Sequence, residues 1–200
     1  MSTALDGRSA RRSRNRDAVL DSVLKFFADG NFNPSPDDVA AASGVSLRSV
    51  YRYVSSREAL IELAIERQLE KVASMWTVEL VTSGDLGYRL DHFIEHRLRL
   101  YDAVAATNRA TRALAREIPS LEARINQGRV ILRRQFERQF ARELSPMEPR
   151  HRRAVIALAQ TSTTIEGLDI LIEHQGLSIR DAREALYINL YLLLTEKEPS

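Results

Sequence analysis

Apolar residues recur through most of this chain at a 3.6-residue period, and no stretch shows the convincing period-two alternation of a strand. Val19, Leu20, Val23, Leu24 and Phe27 form one stripe, which predicts a helix over about residues 14–28 with Gly30 placed to close it. After a short loop, Ser35, Pro36 and Asp38 supply an N-cap serine, a first-turn proline and a capping-box acid. A second helix should therefore begin there and end near Ser43. Gly44 and Val45 make a tight turn, Ser46 is placed to cap a third helix over residues 47–54, and Ser55 or Ser56 opens a fourth. No glycine or proline interrupts the fourth before Gly84, so it reads as one long rod linking two regions. Beyond it, helices are expected over about residues 86–107, with 108–117 as a continuation, and over 120–144, 148–175 and 178–195. The fold class is all-α.

The two short helices around Gly44 share a small apolar set, Val39, Ala42, Val45 and Val50, which fixes one across the other over a turn that tolerates positive φ. The second helix then turns its polar face outward, with Ser46, Arg48, Ser49, Arg52 and the two tyrosines Tyr51 and Tyr53. Such a face suits a DNA major groove about 12 Å wide, where hydroxyl and guanidinium groups bond phosphates or base edges. Arg48 is placed to read guanine through O6 and N7 in a bidentate pair. Arg57, in the first turn of the fourth helix, is placed to hold a phosphate with the amides there. The opposing reading is an amphipathic surface helix with a solvated arginine face. It must treat caps, turn and core pattern over residues 38–60 as coincidence.

Composition narrows the rest. A chain of 200 residues, 44% hydrophobic and 28% charged, has room for one large or two small globular domains and does not suit wholesale disorder. No run of about 20 apolar residues exists to span a bilayer, and the first 16 residues lack the apolar core of a secretory signal, so a cytoplasmic location is expected. The absence of cysteine excludes a disulfide framework, a thiolate metal site and a cysteine nucleophile. A net charge of +2 is too even to imply nucleic acid by itself, but residues 1–60 carry nine basic against seven acidic groups, and the remainder is balanced. Arg8, Arg11, Arg12, Arg14 and Arg16 lie in a stretch without an acid. Residues 1–13 are read as a disordered basic arm, either contacting phosphate or the minor groove or simply solvated.

The residues that carry the helix-turn-helix reading also resemble a known family. Val39-Ala40, Ser43-Gly44-Val45-Ser46, Tyr51-Arg52-Tyr53-Val54 and Ser56-Arg57-Glu58-Ala59-Leu60 are similar to the DNA-binding domain of TetR-family transcriptional regulators, with Val54 in place of the usual Phe and Arg57 in place of the usual Lys. The resemblance is strong over about residues 14–65 and rests on chain length and helix count beyond them. It implies an N-terminal three-helix helix-turn-helix domain over residues 14–60 and a C-terminal helical bundle over 61–200 for ligand binding and dimerisation. It implies phosphate-contact and packing roles for Tyr51 and Tyr53, and a homodimer paired through its last two long helices; a two-fold symmetric dimer in turn predicts a near-palindromic operator. DNA-contact candidates are thus Ser46, Leu47, Arg48, Ser49, Tyr51, Arg52, Tyr53 and Arg57. The expected function is a sequence-specific repressor released from double-stranded DNA by a small-molecule effector, not an enzyme, with no cofactor. The alternatives are an architectural DNA binder without effector and a metal-dependent enzyme using His92, Glu95 and His96.

The C-terminal region offers less. Leu90, Phe93, Ile94, Leu98, Leu100, Tyr101 and Val104 share one arc with Arg97 in its middle. A buried arginine needs an acid, an anionic ligand or a route to solvent; Glu166 and Asp169 are the candidate acids. His92, Glu95 and His96 match the H-x-x-E-H string of a metallopeptidase family, but His92 and Glu95 fall on the polar face, away from any pocket wall, so no metal site is expected. Trp76, Phe93, Arg97, Tyr101, Thr161 and Thr164 are candidates for a ligand cavity, with plain core as the competing reading. Residues 185–194 are apolar nearly all round, so Leu186, Leu190 and Leu193, with Leu168 and Leu171 of the preceding helix, are the dimer-interface candidates.

Overall fold

The computed structural model describes residues 3–77 and 79–195, the first six of them, Arg8 included, by backbone alone. Ten α-helices are formed among the described residues: α1 Thr3–Ala28, α2 Pro36–Ser43, α3 Leu47–Tyr53, α4 Arg57–Lys71, α5 Leu86–Leu114, α6 Pro119–Gln139, α7 Ala141–Leu144, α8 Pro149–Thr163, α9 Ile165–Asp169 and α10 Ile179–Thr195. The chain divides into two compact units. One comprises residues 1–71 and 106–123, the other 72–105 and 124–200, so α4 belongs wholly to the first and the division falls after Lys71 rather than at residue 60.

In the first unit, local chemistry sets the elements as expected. Asp38 N–H donates to Ser35 Oγ (3.1 Å) and Ser35 N–H to Asp38 Oδ2 (3.1 Å), a complete capping box in front of Pro36. Gly44 closes α2 at φ +67°, a left-handed conformation open to glycine at no steric cost. Val19, Leu20, Val23 and Phe27 of α1 pack with Val39, Val45, Val50, Leu60, Ile61 and Ile65, all at most 8% exposed. Arg67 of α4 holds Asp21 of α1 in a bidentate pair (2.8 and 2.9 Å), and Lys71 adds a third bond at 2.6 Å, which pulls the Asp21 carboxyl down to about 2.

Four expectations are corrected. Ala42, assigned to the buried set, is exposed on α2. α1 begins at Thr3, so the segment read as a disordered arm is helix from that residue; Met1 and Ser2 lie outside the described residues. The fourth helix is not a rod to Gly84: it ends at Lys71, and a 3₁₀ turn at Ala73–Trp76 follows. Residues 72–83 carry three valines, two threonines, two serines and a tryptophan, all weak helix formers, and their summed propensity ends the helix without any glycine or proline. The helix expected over residues 148–175 bends by 52° between Thr163 and Ile165. There Thr161, Ser162 and Thr163 bond their hydroxyls back to the Leu158 and Ala159 carbonyls (2.7–3.1 Å), and Thr164, extended at ψ 165°, caps α9 through Gly167 N–H. A π turn, Ile170–His174, completes that segment.

The second unit packs α5, α6, α8 and α10 around Phe93, Phe136 and Phe140, whose ring centroids lie 5.1–5.9 Å apart. Phe140 leaves helical geometry (φ −111°, ψ 25°) and separates α6 from α7, while Asn108 leaves α5 unbroken. No single described helix is long and apolar enough to cross a membrane.

Candidate nucleic-acid interface

The helix-turn-helix places α3 at the surface of the first unit, anchored from beneath by Val50, which is fully buried, and by Val45 and Val54. Arg48 and Tyr51 are exposed, Tyr51 by 56%, and Leu47 and Ser49 are half-buried at the edge of the same face. Ser46 occupies the N-cap position, yet its hydroxyl donates to Ser49 Oγ (3.1 Å) rather than accepting from the backbone. Arg52 is held over the Tyr53 ring at 5.4 Å from its centroid and donates to Ser49 Oγ (3.3 Å) and Tyr53 OH (3.4 Å). The Arg48 side chain, by contrast, makes no ion pair or hydrogen bond among the described residues. The face therefore offers one free guanidinium, one pre-set guanidinium, two hydroxyls and an exposed phenol.

Arg57 opens α4, where Ser56 caps the helix by accepting from Ala59 N–H at 3.1 Å. Its Nη1 faces Glu58 at 3.9 Å and Glu117 at 3.6 Å, while its Nε and Nη2 are buried without a hydrogen-bond partner. Glu117 lies before α6, and Ser120 in the first turn of that helix donates to Glu62. Sequence reasoning missed Glu117: a partner 60 residues distant leaves no local signal. Arg11, Arg12, Arg14 and Arg16 are all exposed along α1, so the acid-free stretch is a row of cations on a helix.

The second unit distributes its candidate residues differently from the expectation. Phe93, Arg97 and Tyr101 are buried together on α5, Trp76 is half-buried on the 3₁₀ turn, Thr164 is half-buried at the α9 cap, and Thr161 is exposed. Thr161 instead lines a groove of about 260 Å³ between α8 and α10, with Leu158, Ser162, Leu171, Leu186 and Asn189. Arg97 has neither expected acid: Glu166 pairs with Arg129 at 2.9 Å, and Asp169 accepts from Tyr101 OH at 3.2 Å. The guanidinium donates to Gln135 Oε1 (2.5 Å) and the Leu132 carbonyl (2.8 Å) and lies 4.5 Å from the Phe93 ring centroid. Burial without a counter-charge lowers Arg97 to about 9.

His96 is buried against the Thr77 backbone, and burial, with the nearby Arg97, Arg99 and His92, lowers it to about 4. Glu95 turns to solvent and pairs with Arg99 at 2.6 Å, and among the described residues no group of three histidine or carboxylate side chains converges as a metal site would require.

The dimer-interface candidates are also redistributed. Leu168, Leu186 and Leu190 are at most 1% exposed and belong to the protomer's own core, while Leu171 and Leu193 are half-buried. The core stripe of α10 is Ala182, Leu186, Leu190 and Leu194, spaced by four, and it leaves Ile188, Tyr191 and Leu192 outside at 52%, 43% and 46% exposure. Ala154, Ala157 and Leu158 form the exposed side of α8.

No family model matches the sequence, and no curated protein matches it. The structure is similar to a TetR-family transcriptional regulator from Streptomyces coelicolor, with a TM-score of 0.64 and 22% identity over 92% of this chain and 80% of that one. It is also similar to a Clostridium perfringens protein assigned to the regulation of fatty acid metabolism, with a TM-score of 0.60 and 13% identity over 90% of this chain and 100% of that one. The fold of this chain is accordingly the fold of TetR-family regulators, and the all-α expectation with an N-terminal helix-turn-helix holds.

Proposed function

We propose that this chain is a sequence-specific DNA-binding transcriptional regulator, acting as a homodimeric repressor that a small-molecule effector releases from its operator. The observation that carries the reading is α3 itself: a seven-residue helix fixed by Val50, ended by Tyr53, and offering Arg48 unpaired at its exposed face. An arginine with no internal partner breaks no bond within the protein when it moves to a guanine edge, whereas Arg52, tied to Ser49 and Tyr53, is pre-set for a phosphate. One helix this short reads only a few base pairs, which is too little to single out one site in a genome, so two copies on a near-palindrome are needed. The exposed apolar side chains of α8 and α10, Leu158, Ile188, Tyr191 and Leu192, support a pairing of that kind.

The test uses duplexes selected from a random library, with binding followed by anisotropy at two salt concentrations. Arg48→Ala should lose about 1–3 kcal/mol of preference at one base position per half-site, and Arg57→Ala should weaken specific and random duplex alike. Binding with no sequence preference in the unsubstituted protein would favour an architectural binder and sink the regulator reading.

A further inference from the structure

We infer that Arg97 is the anchor for the carboxylate of a small apolar acid, bound at the end of the second unit where the Ala73–Trp76 turn lies against α5 and α6. That such an acid acts as an effector rests on the regulator reading above.

Arg97 is fully buried, and its own unit holds acids that stand elsewhere: Glu143 pairs with Arg89, Glu166 with Arg129, and Asp169 accepts from Tyr101. Two neutral oxygens, Gln135 Oε1 and the Leu132 carbonyl, take its Nη1 and Nη2, and its Nε is buried without a partner. A guanidinium in that state keeps its full charge out of water, and its planar fork is matched by a carboxylate far better than by an amide. Burial lowers the Arg97 pKa with no neighbouring acid to raise it.

The surroundings specify the remainder of the ligand. The face of Phe93 lies 4.5 Å from the guanidinium, and Met75 and Trp76 pack against the same apolar cluster from the 3₁₀ turn. The body of the acid is therefore alkyl or aryl. Gln135 is the link between anchor and turn. Its Oε1 accepts from Arg97 at 2.5 Å while its Nε2 donates to the Trp76 carbonyl at 2.5 Å. A carboxylate that takes Arg97 displaces that amide oxygen, and the amide that leaves no longer holds Trp76. The indole ring rests over Gly128, where an added Cβ would meet it at 3.6 Å, and its buried Nε1 has no hydrogen-bond partner, so the ring moves without breaking a polar contact of its own. The turn follows directly on α4, the last helix of the first unit before the boundary at Lys71.

Trp76 is the one tryptophan of the chain, so its emission reports the event alone. Full-length protein is titrated with octanoate and phenylacetate and with their neutral counterparts, octanol and 2-phenylethanol, by fluorescence and calorimetry without DNA. At least one acid should bind about tenfold or more tightly than its alcohol, as expected for a bond to a charged group, and should shift Trp76 emission to the red. Gln135→Glu supplies Arg97 with an internal carboxylate, so it should fold normally, melt at a higher temperature and lose the discrimination between acid and alcohol. Arg97→Met should lose it as well. Response to neither acid, equal affinity for acid and alcohol, or discrimination retained in folded Gln135→Glu overturns the assignment. Because none of these readouts involves DNA, that result leaves the regulator reading to stand or fall on the Arg48 experiment.

Discussion

α10 makes two opposite demands on neighbouring side chains, and one pair of substitutions separates them. Leu190 is fully buried in the protomer and Ile188 is 52% exposed. If α8 and α10 pair with a second copy, Ile188, Tyr191 and Leu192 each stand to bury about half a side chain, roughly 70 Å² or about 2 kcal/mol apiece at about 25 cal/mol per Å². Ile188→Glu removes that term in both copies and takes a carboxylate into the contact. The dimer should weaken by about 4 kcal/mol or more, roughly a thousandfold in dissociation constant. Leu190→Ala acts on the protomer and should cost about 2–5 kcal/mol of folding stability through the cavity it leaves.

Sedimentation equilibrium and urea unfolding, at one protomer concentration throughout, give both numbers, since the stability of a dimer depends on concentration. Ile188→Glu is expected as a folded monomer with the helical signal of the parent. Leu190→Ala should keep its association state while its unfolding midpoint falls. An unchanged dimer for Ile188→Glu, or a stable monomer from Leu190→Ala, would refute the assignment of outer and inner faces.

Two further outcomes follow from single residues. His96 titrates near 4 in the folded chain and near 6.5 when unfolded, so between those values the unfolded chain binds more protons. Its contribution is complete above about pH 6.5 and fades toward pH 4, an expected loss of about 2–3 kcal/mol that His96→Gln should remove from a pH series of urea midpoints; an identical pH profile in the variant would refute it. Gly167→Ala would set a Cβ 2.1 Å from the Thr161 carbonyl and 2.9 Å from Ser162 backbone, so the α8–α9 bend must open. The thermal midpoint should drop by an amount equivalent to about 1–3 kcal/mol, and an unchanged midpoint would show that the bend yields freely.

The parts of this chain that read correctly from sequence are those whose causes lie within a few residues. Ser35, Pro36, Asp38 and Gly44 act on backbone groups at most three positions away, and the structure sets each where the pattern places it. Misreadings share the opposite property. The end of α4 at Lys71 comes from propensity summed over a dozen residues, no one of which is a breaker. The bend at Thr164 needs hydroxyls turned back on their own carbonyls and a glycine pressed against Thr161, a close approach that composition does not reveal. In α10 an apolar surface nearly all round left the phase of the helix undetermined; the position of α5 and α8 in space decides that Leu186 and Leu190 face inward.

The same distinction governs the candidate sites. Helical periodicity places Arg97 inside, and it is inside, but its partners Leu132 and Gln135 lie 35 and 38 residues along the chain, and of the two candidate acids Glu166 pairs with Arg129 and Asp169 accepts from Tyr101. For Arg57 the position in the first turn of α4 was legible and its ion partner Glu117 was not. On the proposed reading, that partner would oppose a phosphate contact only weakly. The pair is 3.6 Å apart with Glu117 64% exposed, so it contributes at most about 1 kcal/mol and is screened by salt, and a phosphate at the α4 N-terminus would compete with it for the guanidinium. Two of the Arg57 nitrogens are buried without a bond, so turning the guanidinium outward to a phosphate would break no hydrogen bond of theirs.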